Sequence, residues 1–340
     1  MASKIRVLSI DGGGIRGVIP ACVLAHIEKI LQEISRDEQA QISDYFDLVA
    51  GTSTGGILTA LLLYPDRKYQ AADLIHLYVE HGEAIFTRNR LTRKIDRKGL
   101  FQPLYQHEPL EELLQSYLGD LKMSELVRPA LIPMYNIESG IATFVSSLGI
   151  QRNAKHDRSV ADVLRGTTAA PTYFAPTKQG LDAFIDGGMF ANNPALCAYV
   201  EATKFPSEPN SKDIMLLSLG TGSINRSYAY HEAKRWGRLN WLRPALEIYS
   251  SAASQTVNHQ LETFYENKDR ASNYLRIEPN LNDFEVELGM DVATPHNIQN
   301  LLKVGASMCE QYEKPLREFL KQVVYSNVLS AHDKLYDDSK

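Results

Sequence analysis

Cysteine is scarce in this chain of 340 residues: Cys22, Cys197 and Cys309 are odd in number and far apart. With no C-x-x-C pair and no mixed His/Cys ligand spacing, neither a disulfide framework nor a structural zinc organises the fold, and no metal or other cofactor is expected. Long apolar runs are lacking too; the longest fall far short of the roughly 20 residues that span a bilayer. The start, Met1-Ala2-Ser3-Lys4-Ile5-Arg6, runs straight into a strand without the apolar stretch and small-residue cleavage site of a secretory signal. The expected location is therefore cytoplasmic or peripheral to a membrane, with export by a non-classical route left open. Positive charge is not in excess: the formal net charge is −5, so nothing in the total favours a nucleic-acid partner. Repeats, low-complexity tracts and linkers are absent. The loop Phe205–Ser211 is too short to divide the chain, so one domain is expected over residues 5–330, followed by a polar tail at 331–340.

What is present suits a sizeable buried core, with 44% hydrophobic and 23% charged residues. Apolar runs such as Ile5–Ile10, Phe46–Ala50, Ala130–Asn136 and Ile214–Leu219 read as strands buried on both faces. Between them lie helical periodicities, including Val18 to Leu31, Gly56 to Leu63, Leu74 to Ile85 and Leu110 to Leu118. Strands apolar on both faces, alternating with helices, predict an α/β fold with a mostly parallel sheet covered on both sides. Basic residues cluster at Arg88, Arg90, Arg93, Lys94, Arg97 and Lys98; a solvated face explains them more simply than contact with anionic lipid.

Three short motifs carry chemistry. Gly51-Thr52-Ser53-Thr54-Gly55 has the G-x-S-x-G form between a strand and an apolar helix. A serine on such a turn projects its hydroxyl at the top of a sheet, near the positive end of the helix. Asp11-Gly12-Gly13-Gly14-Ile15-Arg16-Gly17 follows the first strand and admits two readings. Gly12, Gly14 and Gly17 satisfy the dinucleotide fingerprint, for which Asp37 and Glu38 lie at about the right distance, but in a polar helix end instead of at a strand tip. Alternatively, backbone N–H groups of the loop converge on one oxygen and stabilise the oxyanion of acyl transfer, with Arg16 as an anchor or positive field. A serine needs a base. None of His231, His259, His296 and His332 sits in a context that would pin it, whereas Asp186-Gly187-Gly188 ends a strand with room for another loop to approach.

Together these motifs resemble the patatin-like phospholipase family, which pairs a glycine-rich oxyanion loop, a G-x-S-x-G nucleophile and an Asp-Gly-Gly acid in that order. The likeness continues through Asp44-Tyr45-Phe46-Asp47, Ala169-Ala170-Pro171-Thr172-Tyr173-Phe174, Leu216-Leu217-Ser218-Leu219-Gly220-Thr221-Gly222, Lys234-Arg235-Trp236-Gly237-Arg238-Leu239 and Asn273-Tyr274-Leu275-Arg276, covering nearly the whole chain. The resemblance implies a three-layer α/β/α sandwich of patatin type. It implies Ser53 as nucleophile, Asp186 as its base and then acid, and an oxyanion hole within Gly12, Gly13, Gly14, Ile15, Arg16 and Gly17. Gly51, Gly55, Gly187 and Gly188 would shape the two turns. The implied reaction is hydrolysis of fatty acyl esters in membrane lipids through an acyl-enzyme, with peripheral membrane contact. An activator-dependent effector of toxin or defence type, answering to a protein or small molecule, stays open beside a constitutive enzyme. Leu58, Leu61 and Leu62 are expected in the core, and Phe86, Trp236 and Trp241 are expected to be buried before they are expected to touch a bilayer.

Overall fold

In the computed structural model, which describes residues 4–88, 102–150, 157–207, 209, 213–266 and 271–337, strands and helices largely alternate. β1 (Ile5–Ile10) leads through the glycine-rich loop into α1 (Val18–Ser35). β2 (Leu48–Gly51) leads through Ser53 into α2 (Thr54–Leu62), followed by α3 (Asp73–Ile85) and α4 (Glu108–Leu118). β3 (Ala130–Asn136) and β4 (Ile141–Ser146) form a hairpin, and α5 (Val160–Thr167), β5 (Thr177–Gln179) and β6 (Asp182–Asp186) come next. Then follow α6 (Ala195–Ala202), β7 (Ile214–Leu219), α7 (Arg238–Glu266), β8 (Tyr274–Ile277) and α8 (Pro295–Asp337).

The eight strands form one sheet in the order β5-β6-β3-β2-β1-β7-β8, with β4 on β3. Its centre is parallel: β3 with β2, β2 with β1, β1 with β7 and β7 with β8. Around β3 the sheet turns antiparallel, toward β4, β6 and β5. The long crossovers of the parallel part supply helices for both faces. Side chains alternate between two cores along each central strand. Ile5 and Val7 of β1, with Ile214 and Leu216 of β7, meet Ala195, Ala198 and Ala202 of α6 and Leu261 and Tyr265 of α7. Leu8 and Ile10, with Met215, Leu217 and Leu219, face the larger core built from α1 to α5 and α8. The result is a three-layer α/β/α sandwich. Ile27 of α1 is fully buried, and truncating such a residue to alanine costs about 2–5 kcal/mol.

β3 holds the arrangement that decides where the site forms. β2 pairs with its first residues, Ala130 and Leu131, whereas β6 pairs with its last three, Met134 to Asn136. β2 and β6 run in opposite directions along β3, so their carboxyl ends point at each other across a short gap beside Pro133. A proline fits there because its missing N–H faces a place where no strand offers an acceptor.

Several expectations are corrected. The short strand β5 and the antiparallel pairing of β4, β5 and β6 were not foreseen. α8 runs through Asp337, in line with the mostly helical C-terminal part that the sequence suggests, and residues 338–340 of the polar tail lie outside the described part. Of the basic cluster only Arg88 is described; Arg90, Arg93, Lys94, Arg97 and Lys98 lie outside, as do residues 208 and 210–212 of the loop near Pro206. α1 stops at Ser35, with Arg36 in the left-handed region, so Asp37 and Glu38 stand on an exposed turn. Trp241 is 40% exposed, not buried. Among the described residues no helix is long and apolar enough to cross a membrane.

Candidate active site

Ser53 stands where β2 turns into α2, with φ 54° and ψ −122°. A positive φ in a serine is strained, by roughly 1–3 kcal/mol, and the surroundings hold it there. Its N–H donates to Thr167 Oγ1 at 3.0 Å, and that hydroxyl donates to Pro133 O at 2.6 Å. Thr52 Oγ1 donates to Ala191 O at 2.7 Å. Gly51 closes β2, and Gly55 lies so close to β1 that a Cβ there would come within 2.2 Å of Ile10 O. Only glycine lets α2 start this near the sheet. Leu58, Leu61 and Leu62 of α2 are buried in the larger core, as expected.

Asp186 reaches the serine from the end of β6. Ser53 Oγ donates to Asp186 Oδ2 at 2.7 Å, and the Gly188 N–H donates to Oδ1 at 2.6 Å. Gly187 turns the chain here, packed on Pro133 O. The carboxyl is 5% exposed. Burial pushes its pKa up to about 6, against the pull of the Ser53 hydroxyl and the Gly188 N–H. Both partners are neutral. Of the described histidines, His26 pairs with Glu313, His231 lies beside Glu232 and His296 meets Asn300, all away from this turn.

The glycine-rich loop arches over the same place. A Cβ on Gly12 would come within 3.3 Å of Ser53 Cβ and 2.5 Å of Asn192 Oδ1. Gly14 has φ 58° and lies against Met290 O, so it too has to be glycine. Three of the six expected oxyanion positions already donate elsewhere: Gly12 N to Asn192 O, Ile15 N to Met290 O and Arg16 N to Gly13 O. Gly13 and Gly14 have N–H groups with no hydrogen-bond partner among the described residues. Gly17 packs against Thr54 Oγ1 and Tyr78 OH, which bond each other at 2.6 Å. Arg16 is no surface ion pair. It is 8% exposed, and its guanidinium donates to Gly13 O at 3.5 Å and Gly222 O at 3.4 Å. Desolvation lowers its pKa, against the pull of Glu278 and Tyr173.

Sequence reasoning missed the base of this loop. Asp11, 2% exposed, takes a two-pronged contact from Arg276 of β8, Nη1 to Oδ1 at 2.9 Å and Nη2 to Oδ2 at 2.6 Å. Arg276 also donates to Ser218 Oγ at 2.6 Å and to Glu278. Burial pushes the Asp11 carboxyl up and Arg276 draws it back, while the carboxylates of Asp11 and Glu278 hold Arg276 well above its ordinary pKa. Asn192 and Thr221 were missed as well; both bond Gly12 O, at 3.3 Å and 2.6 Å. The only signal for them was position, four residues past Gly188 of Asp-Gly-Gly for Asn192 and inside Gly-Thr-Gly for Thr221.

The dinucleotide reading fails on this geometry. Asp37 and Glu38 are exposed on their own turn, and the tip of β2, where a ribose-binding carboxylate is needed, carries Ser53. Among the described residues no cluster of His, Cys, Asp and Glu could hold a metal ion.

The profile of the family described as patatin-like phospholipase matches residues 8–199. The chain belongs to that family. It is 31% identical to Patatin-04/09 of Solanum tuberosum over 99% of this chain and 94% of the potato protein. It is 33% identical to Patatin-like protein 2 of Arabidopsis thaliana, over 90% and 83% of the two chains. Among solved structures, VipD from Legionella pneumophila is similar over 90% of this chain and 67% of its own, at 12% identity and a TM-score of 0.42. Family membership places this patatin-like chain among the carboxylic ester hydrolases.

Proposed function

We propose that this chain hydrolyses fatty acyl esters of membrane lipids through a Ser53–Asp186 dyad. The observation that carries the reading is the 2.7 Å hydrogen bond from a strained serine to a buried aspartate whose partners among the described residues are all neutral. A carboxylate at the ordinary value near 4 is a weak base for a hydroxyl; one near 6 is better matched to neutral pH.

Asp186 takes the proton as Ser53 Oγ attacks the acyl carbonyl carbon, and the carbonyl π electrons move to its oxygen. The Gly13 and Gly14 N–H groups meet that oxyanion, since neither has another acceptor among the described residues. Collapse expels the lipid alcohol, which takes the proton from Asp186. Water then gives a proton to Asp186 and attacks the acyl-enzyme; breakdown frees the fatty acid and returns the proton to Ser53. Because Asp186 has to be deprotonated, kcat/KM rises with pH through about 6.

A fluorophosphonate probe is expected to label the wild type at Ser53 and to leave Ser53→Ala unlabelled. Ester hydrolysis is expected to disappear in Ser53→Ala and Asp186→Asn and to survive in His231→Ala, His259→Ala, His296→Ala and His332→Ala. A histidine variant as inactive as Ser53→Ala would replace the dyad with a triad. The same assay with and without cell extract separates a constitutive enzyme from one that waits for an activator.

A further inference from the structure

Resting on the lipid reading above, we infer that the segment from Arg226 to Tyr249 is the surface that seats this protein on an anionic bilayer. β1, β2, β7 and β8 are parallel, so the segment leaving β7 emerges on the same edge of the sheet as Ser53 and the glycine-rich loop. α7 packs against the turn Gly188–Ala191 that follows Asp186. Its far end lies at the opposite edge, where Tyr265 OH donates to Ile214 O at 3.2 Å. The first turns of α7 therefore stand beside the mouth of the site.

The chemistry there is interfacial. Both tryptophans of the chain lie in this segment. Trp236 and Trp241 meet edge to face at 5.1 Å, and Tyr228 stacks on Trp236 in the same manner at 5.4 Å. Around this aromatic cluster Tyr230 is 81% and Leu239 88% exposed, and Trp241 is open to solvent. A soluble surface has no use for so large an exposed leucine beside open tyrosine and tryptophan rings, whereas a headgroup layer takes their apolar bodies and satisfies their polar tips.

Charge selects the kind of surface. The chain as a whole is acidic, yet this segment carries Arg226, Lys234, Arg235, Arg238 and Arg243 against Glu232 and Glu247. Arg226 is already engaged by Glu247, whereas Lys234, Arg235 and Arg238 are exposed. Cations interleaved with interfacial aromatics complement anionic headgroups.

The test is co-sedimentation of inactive full-length Ser53→Ala with vesicles of phosphatidylcholine, with or without phosphatidylglycerol. Binding is expected only with the anionic lipid and is expected to weaken with salt. Reversing Lys234, Arg235 and Arg238 to Glu is expected to weaken binding at least a hundredfold, at about fivefold for each lost cation. Leu239→Ala with Trp241→Ala is expected to weaken it about tenfold at any salt. The same substitutions in the active protein are expected to leave hydrolysis of a soluble short-chain ester unchanged, which shows that they fold. Vesicle binding by the variants equal to the parent overturns the inference, as does equal binding to neutral vesicles. A wild-type dimer that Trp241→Ala dissociates, with no vesicle binding, assigns the patch to a second copy instead and also overturns it. Absence of soluble-ester hydrolysis in the wild type, both with and without cell extract, sinks the Ser53–Asp186 reading without touching the vesicle result.

Discussion

Asp11 and Asp186 end neighbouring parts of the same sheet edge, both almost wholly buried, and burial pushes both carboxyls up. Their partners make them opposites. Asp11 is clamped by a guanidinium through two hydrogen bonds, and that ion pair holds the start of the glycine-rich loop. Asp186 meets a hydroxyl and one backbone N–H, neither charged, so its proton affinity stays raised. The comparison teaches that burial alone does not make a base: burial raises both carboxyls, and only that of Asp186 faces a hydroxyl whose proton it could accept.

The strongest way to break the comparison is at the reacting pair. Ser53→Ala is expected to lower kcat by about 10⁶-fold, and Asp186→Asn by at least about 10²–10⁴-fold, read from turnover of a soluble ester. Next in size is Arg276→Gln, which strips the buried Asp11 of its cation. Unfolding free energy is expected to fall by about 3–5 kcal/mol in a urea titration. In whatever folded fraction remains, kcat falls with KM little changed, because the loop and not the binding surface is disturbed, and Arg276→Lys restores part of both.

Asp186→Asn sharpens the contrast from the stability side. The folded carboxyl titrates near 6 and the unfolded one near 3.8, so the protonated form favours the fold. That contribution is complete below about pH 4 and is lost as pH rises through about 6. At pH 8 Asp186→Asn is therefore expected to be more stable than wild type by about 2–3 kcal/mol while inactive. Equal urea midpoints for the two proteins at pH 8 would show that Asp186 carries no such strain. The smallest expected effect is at Tyr78→Phe, which removes the buried bond to Thr54 beneath Gly17 and costs about 1 kcal/mol with activity retained.

Much of the site was legible in the chain. Ser53, Asp186 and the loop from Gly12 to Gly17 stood out because tight turns demand glycine at particular offsets, a local requirement that sequence records directly. Most strands were legible as continuous apolar runs and most helices through their 3.6-residue pattern, whereas the short β5 was not. What was not legible depends on residues distant in the chain. Arg276 lies 265 positions from Asp11, and neither shows by itself that the other will neutralise it. Which loop N–H groups remain open depends in part on Asn192 and Met290, whose carbonyls occupy those of Gly12 and Ile15. The exposure of Trp241 ran against its hydrophobic character, since composition says nothing about which apolar groups the core leaves outside.

By itself, then, the sequence determined most of the kinds of element and the two sharp turns that carry Ser53 and Asp186, the proposed nucleophile and acid, all consequences of local backbone sterics and hydrophobic pattern. Only the tertiary structure decided that they meet. β2 and β6 approach head to head along one flank of β3, with Pro133 in the gap, and this brings Ser53 to Asp186 across 133 positions of chain. Among the described residues the same packing brings no cation to Asp186 and delivers one to Asp11, a difference of long-range contact that no local pattern encodes.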